Sequence, residues 1–441
     1  MAKEFETLKG TVDYLPKEQT MREDIKKKLT EIFNIYGFPP VETPILCMYD
    51  LLASKYSEGA DILNEIYKLS DQGKRELGLR YDLTICFSKL IASNGSIVMP
   101  FKRYEIGKVF RDGPVKLGRN REFTQCDVDV VGVKSMMQDA EFMNMIHDAF
   151  KNLGLEIEIR YNNRKFLSGI IKTFFGNIDD ATMRKSIMLI DKLDKMERKE
   201  IKEEFVKLGF VEEKCDALLN SFKLSYDELL EKYYDEASDI LRAGFDELKE
   251  LKDYTDGTPA ENDLVFAPYL ARGIDIYTGT VWEIFLLHRN VNGHDFNVSL
   301  GGGGRYDNII TDFIDNGNEY PAIGMSFGLD VIYEVLNKMN SGEEKPIVDL
   351  FVIPIDTKVE SFKFANALRR EGIKVEIEKM DRRVKKSMNY ANKVNIPFVT
   401  VVGNEEAANG KIKLKSMKTG EETEFGIGDY VGIKKIIMEN K

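Results

Sequence analysis

The sequence predicts an α+β protein: an antiparallel sheet with helices against it, interrupted by a helical insertion and followed by a separate α/β domain. Three observations predict this. Strand-like runs up to about Gly132 are broken by Gly, Pro and Asp turns without strand–helix–strand alternation, which favours an antiparallel sheet over a Rossmann sheet. From about Arg164 to Asp256 the chain turns Lys/Glu-rich and helical in pattern, as in DKMERKEIKEEFVKLGF and EKYYDEASDILRAGFDELKEL. A glycine-containing, strand-like pattern then resumes at about Asp263 and runs to Leu329, so the first domain is expected to be discontinuous, with both halves in one sheet.

The elements follow in order. A first helix is expected from about Lys17 to Tyr36, because Ile25, Leu29, Ile32 and Phe33 recur at helical spacing and Gly37, Pro39 and Pro40 end it. In GLRYDLT, Arg80, Asp82 and Thr84 would share one face of a strand. After the polar linker SGEEKP, the run IVDLFVIPI reads as a buried strand. A helix through Phe364 and Leu368, the strand KVEIE, a second helix and the strand PFVTVVG follow, a βαβαβ pattern. A hairpin around Lys418 to Gly420 and a helix from about Tyr430 to Met438 complete it. The expected boundaries are 1–163 with 257–340 for the discontinuous domain, 164–256 for the insertion and 346–441 for the last domain, in keeping with a chain of 441 residues.

Composition excludes several classes. Hydrophobic residues at 43% and charged residues at 31% describe a globular chain. No apolar run reaches bilayer length, and the start MAKEFETLKG carries acids where a signal peptide would be basic and then apolar. The expectation is a soluble, cytosolic protein without a membrane partner. Cys47, Cys86, Cys126 and Cys215 show no C-x-x-C spacing, so no structural zinc or other metal-ligating residue set is expected. A net charge of −11 argues against indiscriminate nucleic-acid binding. A selective RNA partner remains compatible with local basic groups, Arg382, Arg383, Lys385 and Lys386, and Lys411, Lys413, Lys415 and Lys418.

The densest chemical pattern is FRDGPVKLGRNREFTQCDVDVVG, Phe110 to Gly132. As a strand, FTQCDVDVV puts Gln125, Asp127 and Asp129 on one face and Cys126, Val128 and Val130 on the other. A solvent-facing edge strand would alternate in the same way. The preceding Arg111, Arg119, Arg121 and Glu122, around the turn-forming GPVKLG, add cations beside an acceptor-rich row, a seat for a triphosphate and a polar, positively charged ligand. In LARGIDIYTGTVWEIF, Arg272 and Tyr277 precede a strand, and Arg272 pairing with Asp275 in a turn is an equally good local reading. GGGGRYD, Gly301 to Asp307, removes side chains where a backbone could approach a ligand, and Arg305 follows it. Walker and dinucleotide-loop contexts are absent. His147, His288 and His294 stand in no triad or metal spacing, so chemistry by positioning and charge stabilisation is expected.

Together these segments resemble the histidyl-tRNA synthetases, nearly end to end. KGTVDYLP is similar to the family's amino-terminal signature, GFPPVETPIL to class II motif 1, and FRDGPVKLGRNREFTQCDVD to motif 2. YLARGIDIYTGTVWE and GGGGRYD resemble the two histidine signatures, AIGMSFGLD resembles motif 3, and RYDLT takes the form of the family's eukaryote-like branch. The resemblance implies a class II antiparallel sheet flanked by helices, a helical insertion contacting tRNA, an anticodon-binding α/β domain and a homodimer. It implies that histidine is activated with ATP and Mg²⁺ and transferred to the 3′ end of histidine tRNA. Arg111 and Arg272 would be catalytic. Arg111, Arg119, Arg121, Glu122 and Arg305 would face ATP and its phosphates, Asp82, Thr84 and Gln125 the substrate amino group, and Asp129 and Tyr277 the imidazole. The chain departs from the pattern at Val331, where motif 3 usually carries an arginine, and at Ile276, where the signature often has a tyrosine. Val331 is the best support for an alternative, a non-charging histidine sensor like the regulatory subunit of ATP phosphoribosyltransferase.

Overall fold

Apolar residues at helical spacing and a proline in its first turn make Pro16–Ile35 a helix, whose Ile25, Leu29, Ile32 and Phe33 are buried. Glu18 closes its start by accepting the Leu15 backbone N–H at 2.8 Å, and Gly37, at φ +75°, ends it. In the computed structural model, residues 6–54, 61–115, 118–272, 276–339 and 346–439 are described. Contacts divide the chain into two compact units, Met1–Met339 and Asn340–Lys441. Most of the expected SGEEKP linker lies outside the described residues.

The first unit is built on a seven-stranded sheet in the order Phe101–Phe110, Glu122–Val131, Ala322–Gly328, Gly301–Arg305, Thr280–Leu286, Ile157–Asn163 and Leu264–Phe266. Every neighbouring pair is antiparallel except the last. Strands from either side of the helical stretch thus lie in one sheet, joined where Glu122–Val131 meets Ala322–Gly328 and where Ile157–Asn163 sits between Thr280–Leu286 and Leu264–Phe266. Cys126, Val128 and Val130 turn into the core with Phe33, Phe142, Met143 and Ile146, so helices Pro16–Ile35 and Met137–Leu153 cover that face. Helices Arg164–Phe175 and Asp239–Thr255 extend the same core through Phe166, Ile170, Phe245 and Leu248.

One local expectation is corrected. Arg80 to Thr84 is not a strand: the strand Glu76–Leu79 ends before it, and Thr84 opens helix Thr84–Ala92. The Asp82 carboxylate accepts the Ile85 N–H at 3.1 Å, so a polar side chain that alternation alone assigns to a strand instead serves a helix start.

The second unit has the order Val375–Ile377, Leu350–Pro354, Phe398–Val402, Lys411–Ser416 and Glu422–Gly426, the first three parallel and the rest antiparallel. Leu350–Pro354 is apolar throughout because helices cover both of its faces. Leu350 and Val352 pack with Phe364 and Leu368, whereas Phe351 and Ile353 pack with Ala391 and Ile396.

The first helix is tied to the sheet by charge. Arg22, 1% exposed, donates to Asp330 at 2.8 Å, and Asp330 also accepts the Tyr14 hydroxyl and the Thr124 N–H at 2.8 Å. Removing one partner strands a buried charge. Asp330→Ala should therefore lower the stability of this unit by about 3–5 kcal/mol in urea unfolding, and a loss below about 1 kcal/mol would contradict this role.

Candidate active site

The register of the sheet assembles the site. Across the strands one row runs Arg103, Asp129, Gly324, Gly304, and the next runs Glu105, Asp127, Ser326, Gly302, Glu283. A third holds Gly107, Gln125 and Gly328. The polar row on Glu122–Val131 therefore lies on an interior strand, with Asp127 and Asp129 only 4% and 3% exposed, and an exposed edge is ruled out. Glycines alternate with these acids because side chains lie across them. A Cβ on Gly324 would stand 1.9 Å from Asp129 Oδ1, one on Gly302 2.1 Å from the Arg272 guanidinium, one on Gly304 2.8 Å from the Tyr277 ring, and one on Gly107 2.2 Å from the Arg80 guanidinium.

Carboxylates removed from water need compensation. Arg103, fully buried and 4.4 Å above the Phe87 ring, lies 2.6 Å from Asp129 and donates to Glu105 at 3.1 Å. Arg80 donates to the other Glu105 oxygen at 2.8 Å and to the Thr43 carbonyl at 2.7 Å. The Tyr306 hydroxyl donates to Asp129 Oδ1 at 2.5 Å. Burial raises the Asp129 carboxyl above its ordinary range against the opposing pull of Arg103. The Asp127 carboxyl is pushed up to about 8, again by burial, with Arg103 opposing and Asp129 adding to the rise.

Arg272 and Tyr277 stand together beyond the glycine strand. Arg272 donates to the Trp282 carbonyl at 3.1 Å, and its guanidinium lies 5.3 Å from the Tyr277 ring centre. The Tyr277 hydroxyl is raised by burial, lowered by Arg272 and raised again by Glu283, Asp127 and Asp82, which brings these groups within one electrostatic neighbourhood. Asp275, the alternative partner of Arg272, lies outside the described residues.

A cavity of about 320 Å³ opens beside the strand ends, lined by Glu65, Tyr81, Arg111, Gly113, Pro114, Gly118, Arg119, Asn120 and Phe123. Arg111 sits between two rings, 4.1 Å from that of Tyr81 and 5.0 Å from that of Phe123. Arg121 flanks it, 3.5 Å from Asp112. Two expected phosphate-facing residues do not join it. Glu122 alternates with Phe123 to the opposite face and pairs with Lys108 at 2.7 Å. Arg305 donates to Asp139 at 2.9 Å and to the carbonyls of Val133 at 2.9 Å and Ser135 at 2.7 Å. It is a buried structural cation whose valence is filled. Val331 packs beneath the loop, with Cγ2 3.1 Å from where a Cβ on Gly118 would be. Sequence reasoning noticed Asp127 without giving it a role and missed Arg103, Glu105, Tyr306 and Glu283. The period-two charges in KRYEIG were the available signal for the first pair.

A family model described as "Histidyl-tRNA synthetase" matches residues 10–332, and one described as "Anticodon binding domain" matches 349–434. The chain is 44% identical to "Histidine--tRNA ligase 1" of Bacillus cereus, covering 96% of this chain and 98% of that one. It is 41% identical to "Histidine--tRNA ligase 2" of Shouchella clausii over 95% and 97%. The crystal structure of histidyl-tRNA synthetase from Nostoc sp. PCC 7120 superimposes with a TM-score of 0.84 at 28% identity, covering 98% and 99%. A Bacillus halodurans protein described as an ATP phosphoribosyltransferase regulatory subunit/histidyl-tRNA synthetase shares the fold, with a TM-score of 0.75 at 21% identity over 90% and 98%.

Two outcomes follow from this geometry. Gly324→Ala should displace the Asp129 carboxylate from its partners and cost about 1–3 kcal/mol, whereas Gly95→Ala, where a Cβ meets nothing within 4 Å, should change stability by less than about 0.5 kcal/mol. Urea unfolding of both variants compares them, and equal costs would contradict the crowding. The second concerns pH. Asp127 holds its proton to about 8 when folded and to only about 3.9 when unfolded. Between these values the folded state binds the extra proton, so this contribution to stability falls as pH rises. Asp127→Asn should show a shallower loss of stability between pH 5 and 8 than the parent, and identical slopes would refute the shift.

Proposed function

The chain belongs to the histidyl-tRNA synthetase family, and from that premise we propose how its residues divide the work of activating histidine with ATP and passing it to histidine tRNA. The activity is that of a histidine–tRNA ligase, as the near full-length likeness to proteins of that name supports. The observation that carries the division of labour is the single sheet face on which Asp127 and Asp129 share rows with the glycines under Arg272 and Tyr277, with Gln125 in the adjoining row.

On this reading Asp129, held by Arg103 and Tyr306, meets the imidazole with Tyr277, while Asp82, Thr84 and Gln125 take the substrate's amino group. A site that pairs both ring nitrogens rejects analogues lacking them. The histidine carboxylate attacks the α-phosphorus, pyrophosphate leaves, and the added negative charge is offset by Arg111 and Arg272. Arg119 and Arg121 extend the cationic edge towards the leaving phosphates. Mg²⁺ enters on the phosphate oxygens of ATP as part of the substrate. Neutral Val331 leaves the phosphate charge to the loop arginines. The regulatory-sensor alternative is not favoured, since ligases align over nearly the whole chain and the anticodon-binding model matches 349–434.

For the tRNA, Arg383, Lys385 and Lys386 make the better contact surface, Arg382 beside them being paired with Glu378 at 3.3 Å. Lys411 and Lys415 pair with Glu424 and Glu422 across the hairpin at 2.6 and 3.4 Å. A homodimer is supported by the exposed Ile45 and Leu46 in the motif 1 segment and Met48 just beyond it, and among the described residues no helix is long and apolar enough to cross a membrane. The three segments 1–163 with 257–340, 164–256 and 346–441 then serve catalysis, tRNA contact and anticodon binding, in the cytoplasm.

Purified protein should exchange pyrophosphate into ATP only with histidine and Mg²⁺ present, and should sediment as a dimer. Arg272→Ala should lower kcat for exchange roughly 10²–10³-fold with an unchanged urea midpoint. Exchange without histidine, or an unaffected Arg272→Ala variant, would overturn the assignment.

A further inference from the structure

Cys47 and Cys86, 39 residues apart in the chain, bring their sulfurs to 3.6 Å. Cys47 is the middle residue of strand Leu46–Met48, where Leu46 and Met48 face outward, as the proposed dimer surface, and Cys47 turns inward while keeping partial exposure. Cys86 lies in the first turn of helix Thr84–Ala92 and is 3% exposed. Both thiols point at one acceptor, the Pro44 carbonyl oxygen, at 3.5 and 3.9 Å. The remaining cysteines differ, since Cys126 and Cys215 are buried among apolar side chains of the main core.

Two thiols in van der Waals contact do not stay equivalent. A sulfhydryl that donates to a second sulfur favours negative charge on that sulfur. The Cys86 S–H lowers the Cys47 thiol below its ordinary range against the effect of burial, and Arg80 and Lys89 lower it further. The same contact raises Cys86, with burial, the Cys47 charge and Asp82 adding to the rise. Thiolate character and access thus both select Cys47 as the nucleophile, and Cys86 is the second thiol beside it.

The pair also sits where a change can reach the proposed site. Cys86 belongs to a small cluster with Leu52, Ile66 and Tyr81, against which Cys47 packs, and the Tyr81 ring lies 4.1 Å from Arg111. On the strand side, the Ile45 carbonyl accepts the Arg80 N–H at 3.0 Å. Arg80 in turn donates to Glu105 at 2.8 Å. A covalent link between strand and helix would therefore load both Tyr81 and Arg80.

We propose that Cys47 and Cys86 form a site of reversible oxidation, where a hydroperoxide converts the two thiols to a disulfide and thereby slows histidine activation. The effect on rate rests on the function proposed above; the disulfide does not. In the first step the Cys47 thiolate attacks a peroxide oxygen, so that an S–O bond forms and the O–O bond breaks. The leaving oxyanion takes a proton from solvent, and Cys47 becomes a sulfenic acid. With the Cys47 charge gone, Cys86 gives up its proton more readily and attacks the Cys47 sulfur. The S–S bond forms, the S–O bond breaks, and hydroxide leaves as water with the Cys86 proton. Two thiols have lost two electrons and two protons, and hydrogen peroxide has become two waters.

The test treats the reduced full chain with hydrogen peroxide, blocks remaining thiols with N-ethylmaleimide and maps the peptides by mass spectrometry, with pyrophosphate exchange measured in parallel. A Cys47–Cys86 cross-linked peptide should appear while exchange falls roughly 10-fold, and dithiothreitol should reverse both. Cys47→Ser should keep its exchange rate under peroxide. Cys86→Ser should instead accumulate a dimedone-reactive sulfenic acid at Cys47, and Cys86→Ala gives the same readout should the serine variant fail to fold. Cys47 recovered as the maleimide adduct after peroxide, an exchange rate unchanged in the cross-linked protein, or an equal loss of exchange in Cys47→Ser would each overturn the proposal. A reduced parent without histidine-dependent exchange would overturn the functional reading instead, and the peptide map would still decide whether the disulfide forms.

Discussion

A guanidinium without access to water, that of Arg103, is the interaction on which the ligand face of the sheet depends. Three acids, Glu105, Asp127 and Asp129, occupy adjacent positions on two paired strands where an ordinary sheet would bury apolar side chains. Left alone, they would take up protons or pull the strands apart. Arg103 bridges Glu105 and Asp129, Arg80 takes the outer Glu105 oxygen, and Tyr306 takes the inner one of Asp129. The network holds Asp129 in one orientation, which is what discrimination by hydrogen bonding would require of it on the proposed function. Asp127 Oδ1 has no hydrogen-bond partner among the described residues.

The same economy of charge explains the catalytic style. None of the chain's three histidine side chains is among the described site residues, and on the proposed function the work falls to cations placed against developing negative charge. Arg111 is braced by two rings, and among the described residues no carboxylate pairs with it at short range. Arg305 shows the contrast. It has an acid and two carbonyls around it, and a cation so surrounded fixes the glycine strand to helix Met137–Leu153 instead of meeting a phosphate.

How much of this was legible in the sequence depended on the range of the interaction. Periodicity located helix Pro16–Ile35 within a residue and put Gln125, Asp127 and Asp129 on one face, because both follow from local backbone geometry. It could not tell that Arg305 finds Asp139, 166 residues away, or that Arg22 finds Asp330 at a separation of 308. Alternation also reads the same in a strand as in a short loop before a helix, and so Arg80 to Thr84 was placed in the wrong element. Glu122 fell among the phosphate residues by proximity in sequence to Arg121, although one step along a strand reverses the face. The glycine run was recognised as removing side chains, but what it made room for, Arg272 and Tyr277, required the register.

The interleaved strand order has a consequence for a chain made from its amino terminus. Glu122–Val131 has its outer neighbour, Phe101–Phe110, at once, but its inner neighbour, Ala322–Gly328, leaves the ribosome only after the entire helical stretch and the glycine run. Throughout that interval the nascent protein holds an open strand edge beside carboxyls not yet enclosed, the kind of surface that invites pairing with other chains. A product truncated after Thr255 would contain Gln125 and Asp129 but none of the three strands, Ala322–Gly328, Gly301–Arg305 and Thr280–Leu286, that continue their rows across the sheet. During synthesis the helices 164–255 therefore fill the period when the sheet is half made, and the shielding of its edge is a matter of timing as much as of structure.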